Sequence, residues 1–283
     1  FDIQESPIMA PALAEQFPMI KTYNGVSVDD AAKYIRLDLT PAGFHAMILV
    51  AGGNTIFIDP YSFGGGDIQH YIVYQKKNFK SAFNKVFSCG TEYDEAAAHR
   101  THTHANAKGI AKAFGSCQLR EYRLALSCTG EYTTFHGGTV AGALAAQVTS
   151  INRVNSVYER DMAIRMNLIA NNNVLIFTNA ATDPFTNNSG GAMLGENQTT
   201  VDNAIGNANY DIGHVYSTGG GGIAGAIGNV CRTGQKAEGV TGSPSPVGDP
   251  FDIDYVAHEM GHQFGANHTQ NNNSCANPPV NVE

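Results

Sequence analysis

His258-Glu259-Met260-Gly261-His262-Gln263-Phe264-Gly265-Ala266-Asn267-His268 is the stretch on which the reading of this chain turns. His258 and His262 stand four residues apart, so on a helix they share one face and both imidazoles reach a single ion. Glu259 follows the first of them and falls beside that ion, placed to deprotonate a water. Gly265 tolerates the left-handed conformation that ends a helix and reverses the chain, which brings His268 back as a third ligand. Three histidines leave the fourth position of a tetrahedral zinc site open, the arrangement of a catalytic zinc and not of a structural one. A bare H-E-x-x-H arises by chance on polar helices. The added glycine and third histidine at this spacing leave little room for accident.

The flanks agree with a helix. Asp249-Pro250 ahead of Phe251 predicts its start, with Asp249 as N-cap and proline at the first helical position. Asp252 and Asp254 suit the positive end of the helix. Phe251, Tyr255 and Val256 give it an apolar side for burial.

This segment resembles a metzincin, and more narrowly the bacterial relatives of the reprolysin (adamalysin) metalloproteases. Residues 119–126 (LREYRLAL) resemble the first strand of such a catalytic domain. Residues 209–216 (NYDIGHVY), followed by the glycine-rich 219–225, resemble the strand and cleft rim just ahead of the zinc helix. The resemblance covers about 117–283, with a weaker likeness to a propeptide before it. It implies an α/β (α+β) fold: a β-rich propeptide domain, then a metzincin-type catalytic N-terminal subdomain with a twisted mixed sheet, helices and the zinc helix at the cleft. It implies a zinc-dependent endopeptidase acting on proteins or peptides, with zinc on His258, His262 and His268 and with Glu259 as general base. It places Gly220, Gly221 and Ile223 on the upper rim of a substrate cleft, where an extended peptide would add as a strand.

The resemblance also bears on Cys89-Gly90. In latent relatives a propeptide cysteine followed by glycine occupies the open zinc position, which makes Cys89 the candidate inhibitory ligand and the propeptide an intramolecular inhibitor. A thiolate is a good zinc ligand and excludes water. Two features depart from the family pattern. Typical reprolysins carry aspartate after the third histidine, and this chain has Thr269. Metzincins also carry a methionine turn downstream of it, yet all seven methionines lie at or before Met260, so the C-terminal subdomain is expected to be missing from this sequence.

The rest of the chain fits two modest domains, which 283 residues permit. In 1–88 the alternating stretch 34–39, the apolar 44–49 with its one histidine, and the runs 55–60 and 70–74, with Gly52-Gly53-Asn54 as a turn, predict a small antiparallel sheet. Residues 89–116 lose that pattern and read as a linker. His99, His102 and His104 lie in it at a spacing poor for one helix face. Residues 117–283 predict a strand at 119–126, a helix at 139–161, strands at 163–169 and 174–177, and a polar loop at 178–195. A helix at 198–205, a strand at 212–216, the glycine-rich rim and the zinc helix complete the order.

A net charge of −8, 15% charged residues and no basic run exclude a nucleic-acid binder. The absence of any apolar stretch of about twenty residues excludes a membrane-spanning helix. Low charge, 31 glycines and a start at Phe1 without a leader suit a secreted protein whose signal peptide has been removed. The five cysteines, Cys89, Cys117, Cys128, Cys231 and Cys275, are an odd number, so one thiol stays unpaired or its partner is missing. Cys117 with Cys128, and Cys231 with Cys275, are candidate pairs whose connectivity the sequence leaves open. Asp183, Asn187, Asn188 and Glu196 offer oxygen ligands in one loop, and calcium is a candidate second cofactor there. Gly219–Gly222 lacks the lysine and spaced glycines of a phosphate loop. His136 and His214 read as lone packed or exposed histidines. The alternative to an enzyme is a secreted binding or adhesion module with a vestigial zinc site.

Overall fold

The computed structural model describes residues 1–62, 66–79, 88–92 and 118–268. His99, His102, His104, Cys117, Thr269 and Cys275 lie outside the described residues. Two sheets flank one long helix. The first sheet is a six-stranded antiparallel meander in chain order. Its strands are β1 (Asp2–Glu5), β2 (Lys21–Val26), β3 (Lys33–Thr40), β4 (Gly43–Val50), β5 (Ile56–Pro60) and β6 (Tyr71–Gln75). The four stretches expected as strands in 1–88 are β3 to β6. Sequence periodicity missed β1 and β2, because β1 is exposed along its whole length and β2 carries Asn24-Gly25 at its centre. Between them runs the short helix α1 (Pro11–Gln16), opened by its proline.

The second sheet has the order β10-β11-β9-β7-β8. Strands β7 (Arg120–Cys128), β8 (Ile164–Leu168), β9 (Ile212–Ser217) and β11 (Gly239–Gly242) run parallel, and β10 (Gly222–Ala224) is an antiparallel edge. Thr129 and Thr139 accept from Tyr132 N and Gly142 N to cap α2 (Gly130–Phe135) and α3 (Val140–Met162). α4 (Gly190–Ala204) is capped by Ser189 and begins eight residues before the sequence-predicted start at Gln198. Glycines at 190 and 191 weaken helix propensity there and hide that start. The apolar run 174–177 is no strand: Asn172–Leu175 form a 3-10 turn. The buried Asn172 amide accepts from Leu126 N at 2.8 Å and donates to Leu126 O at 3.1 Å, standing in for a strand partner.

Helix α3 determines how the two sheets meet. Leu144, Val148, Ile151 and Val154 enter the main core with Leu124, Leu126, Met166, Tyr216 and Met260. The opposite, polar side of α3 is buried as well, because the first sheet covers it. Thr149 donates to Asp38 at 2.8 Å, and Arg36 Nη1 donates to Asn152 at 2.9 Å. Glu159 accepts from both Arg36 and Arg165. Arg153 lies between Asp59 of β5 and Asp252, the latter at 3.0 Å. The first sheet is therefore seated on α3 through charge-assisted hydrogen bonds from β3 and β5.

Candidate metal centre

The zinc helix is less regular than its sequence predicts. Asp249 is already helical, with Gly248 as N-cap at φ 75°, and its carboxylate pairs with Lys76 at 3.2 Å in place of capping. A π-turn then spans Asp252–Ala257 before α5 (His258–Phe264). Such insertions concentrate at functional sites because they rotate the residues that follow. Here Tyr158 donates to Ala257 O at 2.6 Å and holds the junction. Gly265 ends α5 at φ 113°, as its position in the sequence requires.

That reversal brings the three imidazoles together. The Nε2 atoms lie 3.0 Å (His258–His262), 3.1 Å (His262–His268) and 3.3 Å (His258–His268) apart. The His262 Nδ1–H donates to Ala266 O at 2.7 Å, which leaves its Nε2 lone pair facing the other rings. Burial, then the two neighbouring imidazoles, lowers the His258 pKa to about 4 and keeps the ring in its neutral, ligating form. Cys89 Sγ stands 3.5 Å from His262 Nε2, and the four ligand atoms all lie within 4.8 Å of one another. A tetrahedral zinc, with bonds of about 2.0–2.1 Å to nitrogen and about 2.3 Å to sulfur, spaces nitrogens about 3.3–3.4 Å apart and a sulfur about 3.5–3.6 Å from each. The donor set fits that ion in chemistry, and the nitrogens lie within a few tenths of an ångström of its spacing. Burial, then the Glu259 carboxylate, pushes the Cys89 thiol up to about 12, so a thiolate here needs a cation beside it.

Glu259 is fully buried, and its Oε2 accepts from Thr91 Oγ1 at 3.3 Å. The same Thr91 oxygen accepts from Ala224 N at 2.8 Å. Residues 88–91 thus run along the β10 edge: Gly90 N donates to Gly222 O at 2.8 Å, Gly222 N donates to Ser88 O at 3.3 Å, and Cys89 and Gly222 form a parallel bridge. The anticipated rim residues lie around this segment. Gly221 faces Ser88 O and Ile223 borders Gly90, whereas Gly220 turns toward Gly190 and Met193.

Sequence reasoning missed Thr91, which nothing in the sequence distinguishes from any other threonine. It also missed the anchoring of α5. Gln263, inside the zinc motif, accepts from His214 Nδ1 at 2.8 Å and donates to Gly213 O at 2.9 Å, and Thr241 Oγ1 bonds His214 Nε2 at 2.8 Å. Burial holds the His214 pKa at about 4, so the ring stays neutral as this chain of bonds requires. Of the four residues considered for calcium, Asp183, Asn187 and Glu196 accept local hydrogen bonds. Asp183 accepts from Gly130 N and Phe185 N, Asn187 accepts from Thr129 Oγ1 and Thr218 N, and Glu196 accepts from Thr186 N and Oγ1. Cys128 is fully buried 3.3 Å from Thr133 Oγ1, and Cys231 is exposed. Among the described residues, Cys89, His258, His262 and His268 are the group drawn close enough to hold a metal.

Comparison with known proteins places these observations. The sequence model for metallo-peptidase family M12B, reprolysin-like, matches residues 119–283. No curated protein matches the chain. Among solved structures, metalloproteinase-II from Bacteroides fragilis is similar at 15% identity and a TM-score of 0.43, over 89% of this chain and 73% of that one.

Proposed function

The chain belongs to the reprolysin-like M12B metallopeptidases, and we propose that it is a secreted zinc endopeptidase held latent by its own N-terminal segment. The observation that carries this reading is the convergence of three Nε2 atoms and the Cys89 sulfur, beside a buried Glu259. His258, His262 and His268 would hold the zinc. Bound there, zinc supplies Lewis acidity for a scissile carbonyl and for an attacking water. Glu259 takes the proton of that water and passes it to the leaving amine. Its position beside the imidazoles and out of bulk solvent suits it to both transfers. The edge of β10 offers the backbone groups that an extended peptide would pair with.

Latency follows from the occupants of the same space. Cys89 would fill the fourth ligand position, and Thr91 engages both Glu259 and the Ala224 amide. Residues 88–91 line the cleft edge on which a substrate strand would lie. Bonds to Gly222, Ala224, Tyr255 and Glu259 hold that segment in place. Secretion is part of the proposal and rests on the composition; its check is the presence of the protein in culture supernatant. The close approach of the three Nε2 atoms, 3.0–3.3 Å apart, supports the enzyme over a vestigial site.

Two outcomes test this reading. A chelator should abolish casein cleavage by the processed protein, and added zinc should restore it; cleavage that persists without metal would end the zinc account. Cys89→Ser should raise the activity of the unprocessed chain roughly 30-fold or more, the equivalent of one dominant contact of about 2 kcal/mol. Unchanged latency would remove Cys89 from the inhibitory role.

A further inference from the structure

The four consecutive glycines Gly219–Gly222 serve different ends. Gly220 and Gly221 have φ of 86° and 70°, values that L side chains rarely adopt. Gly222 has ordinary strand geometry within β10, so its backbone would accept any residue. What Gly222 cannot accept is a side chain. A Cβ there would lie 2.2 Å from Glu259 Oε1, 2.7 Å from Cδ and 2.8 Å from Cγ. The carboxylate occupies the volume that a side chain would fill.

A second glycine repeats the arrangement one strand away. Gly239 on β11 pairs with Ala224 of β10, and a Cβ there would lie 2.3 Å from Gln263 Oε1 and 2.5 Å from His214 Nδ1. Glu259 and Gln263 are four apart and share one face of α5. The helix lowers two polar side chains onto two strand positions that lack side chains. The two sites differ in what holds the incoming group. Gln263 is fixed by bonds to His214 and Gly213 O, so a clash there meets a rigid network. Glu259 meets Gly222 with the end of a flexible side chain, which can move while the fold stays intact.

We propose that Gly222 is a positioning residue for the proposed peptidase reaction, its missing side chain being the seat that sets the Glu259 carboxylate beside the imidazoles. The inference rests on Glu259 being the general base. Displacing a reacting group by about 1 Å costs about 100-fold in rate. A side chain at Gly222 should therefore act on the chemical step and spare binding and stability.

The experiment compares Gly222→Ala, Gly239→Ala and Glu259→Gln in the full chain, before and after processing. Gly222→Ala is expected to bind one zinc and to melt within about 4 °C of the parent. Its kcat should fall about 100-fold with KM within about twofold. A crystal structure of its latent form should show the Glu259 carboxylate displaced and the Thr91–Glu259 hydrogen bond broken. Gly239→Ala should melt markedly lower. Parental kcat in Gly222→Ala, with Glu259→Gln inactive, overturns the seat alone, as does a carboxylate that has not moved. A melting temperature lowered as in Gly239→Ala would make Gly222 structural and also overturns it. Parental kcat in Glu259→Gln removes the general base itself, and the seat with it.

Discussion

Glu259→Gln is expected to keep one zinc per chain and to lower kcat by about 10²–10⁴-fold, the range that a positioned general base contributes. Glutamine preserves the size of the side chain and an acceptor oxygen toward Thr91, which donates to Oε2 at 3.3 Å. It removes only the ability to take a proton. Because the imidazoles, not Glu259, form the ligand triangle, metal content should not change. Metal analysis together with steady-state kinetics on the processed enzyme separates the two roles. A variant that retained full activity would show that the proton goes elsewhere, and one that lost zinc would show that the carboxylate is structural.

The second large effect is expected far from the metal. Arg153→Met should cost about 3–5 kcal/mol of stability, the usual result of removing one member of a buried ionic cluster. Arg153 is 3% exposed and its guanidinium joins Asp59, on the first sheet, to Asp252, at the start of the π-turn that leads into the zinc helix. Methionine fills similar volume but leaves two carboxylates together without a cation. The deficit should depend on pH. Burial already pushes Asp252 up to about 6 with Arg153 present. Without Arg153 the Asp252 carboxyl titrates higher still, further above its unfolded value. A carboxyl group with a raised folded-state pKa takes up protons on folding, so its penalty is full above that pKa and is relieved as pH falls through it. The difference in urea stability between Arg153→Met and the parent should therefore be largest at pH 7–8 and shrink toward pH 5. A difference under about 0.5 kcal/mol at pH 7 would mean that the cluster does not bind the first sheet to α3.

What the sequence revealed, and what it hid, divides along a physical line. The histidine triangle was legible because its geometry is local: a four-residue helical spacing plus one left-handed glycine places all three rings. Strands β3 to β6 were legible because short runs rich in apolar, β-branched and aromatic residues are separated by turn residues such as Gly52-Gly53-Asn54. Helix α3 was placed within a residue, but its apolar periodicity described only half of its environment. Thr149, Asn152 and Arg153 lie outside that apolar stripe, and their burial depends on partners more than ninety residues away in sequence. The π-turn, the short strands β10 and β11 and the seating of Glu259 on Gly222 were hidden for the same reason. Each depends on contacts between segments distant in sequence, and a run of three or four residues such as Gly222–Ala224 carries no periodicity to read. Thr91 was hidden because only its place beside Glu259 gives it a role.

X-ray absorption at the zinc edge on the unprocessed chain tests the central claim most directly. The account predicts one zinc per chain with three nitrogen ligands at about 2.0–2.1 Å and one sulfur at about 2.3 Å. The sulfur shell should disappear in Cys89→Ser, and the nitrogen shell should lose a ligand in His262→Ala. A shell of oxygen donors only, or a chain that binds no zinc at all, would contradict it.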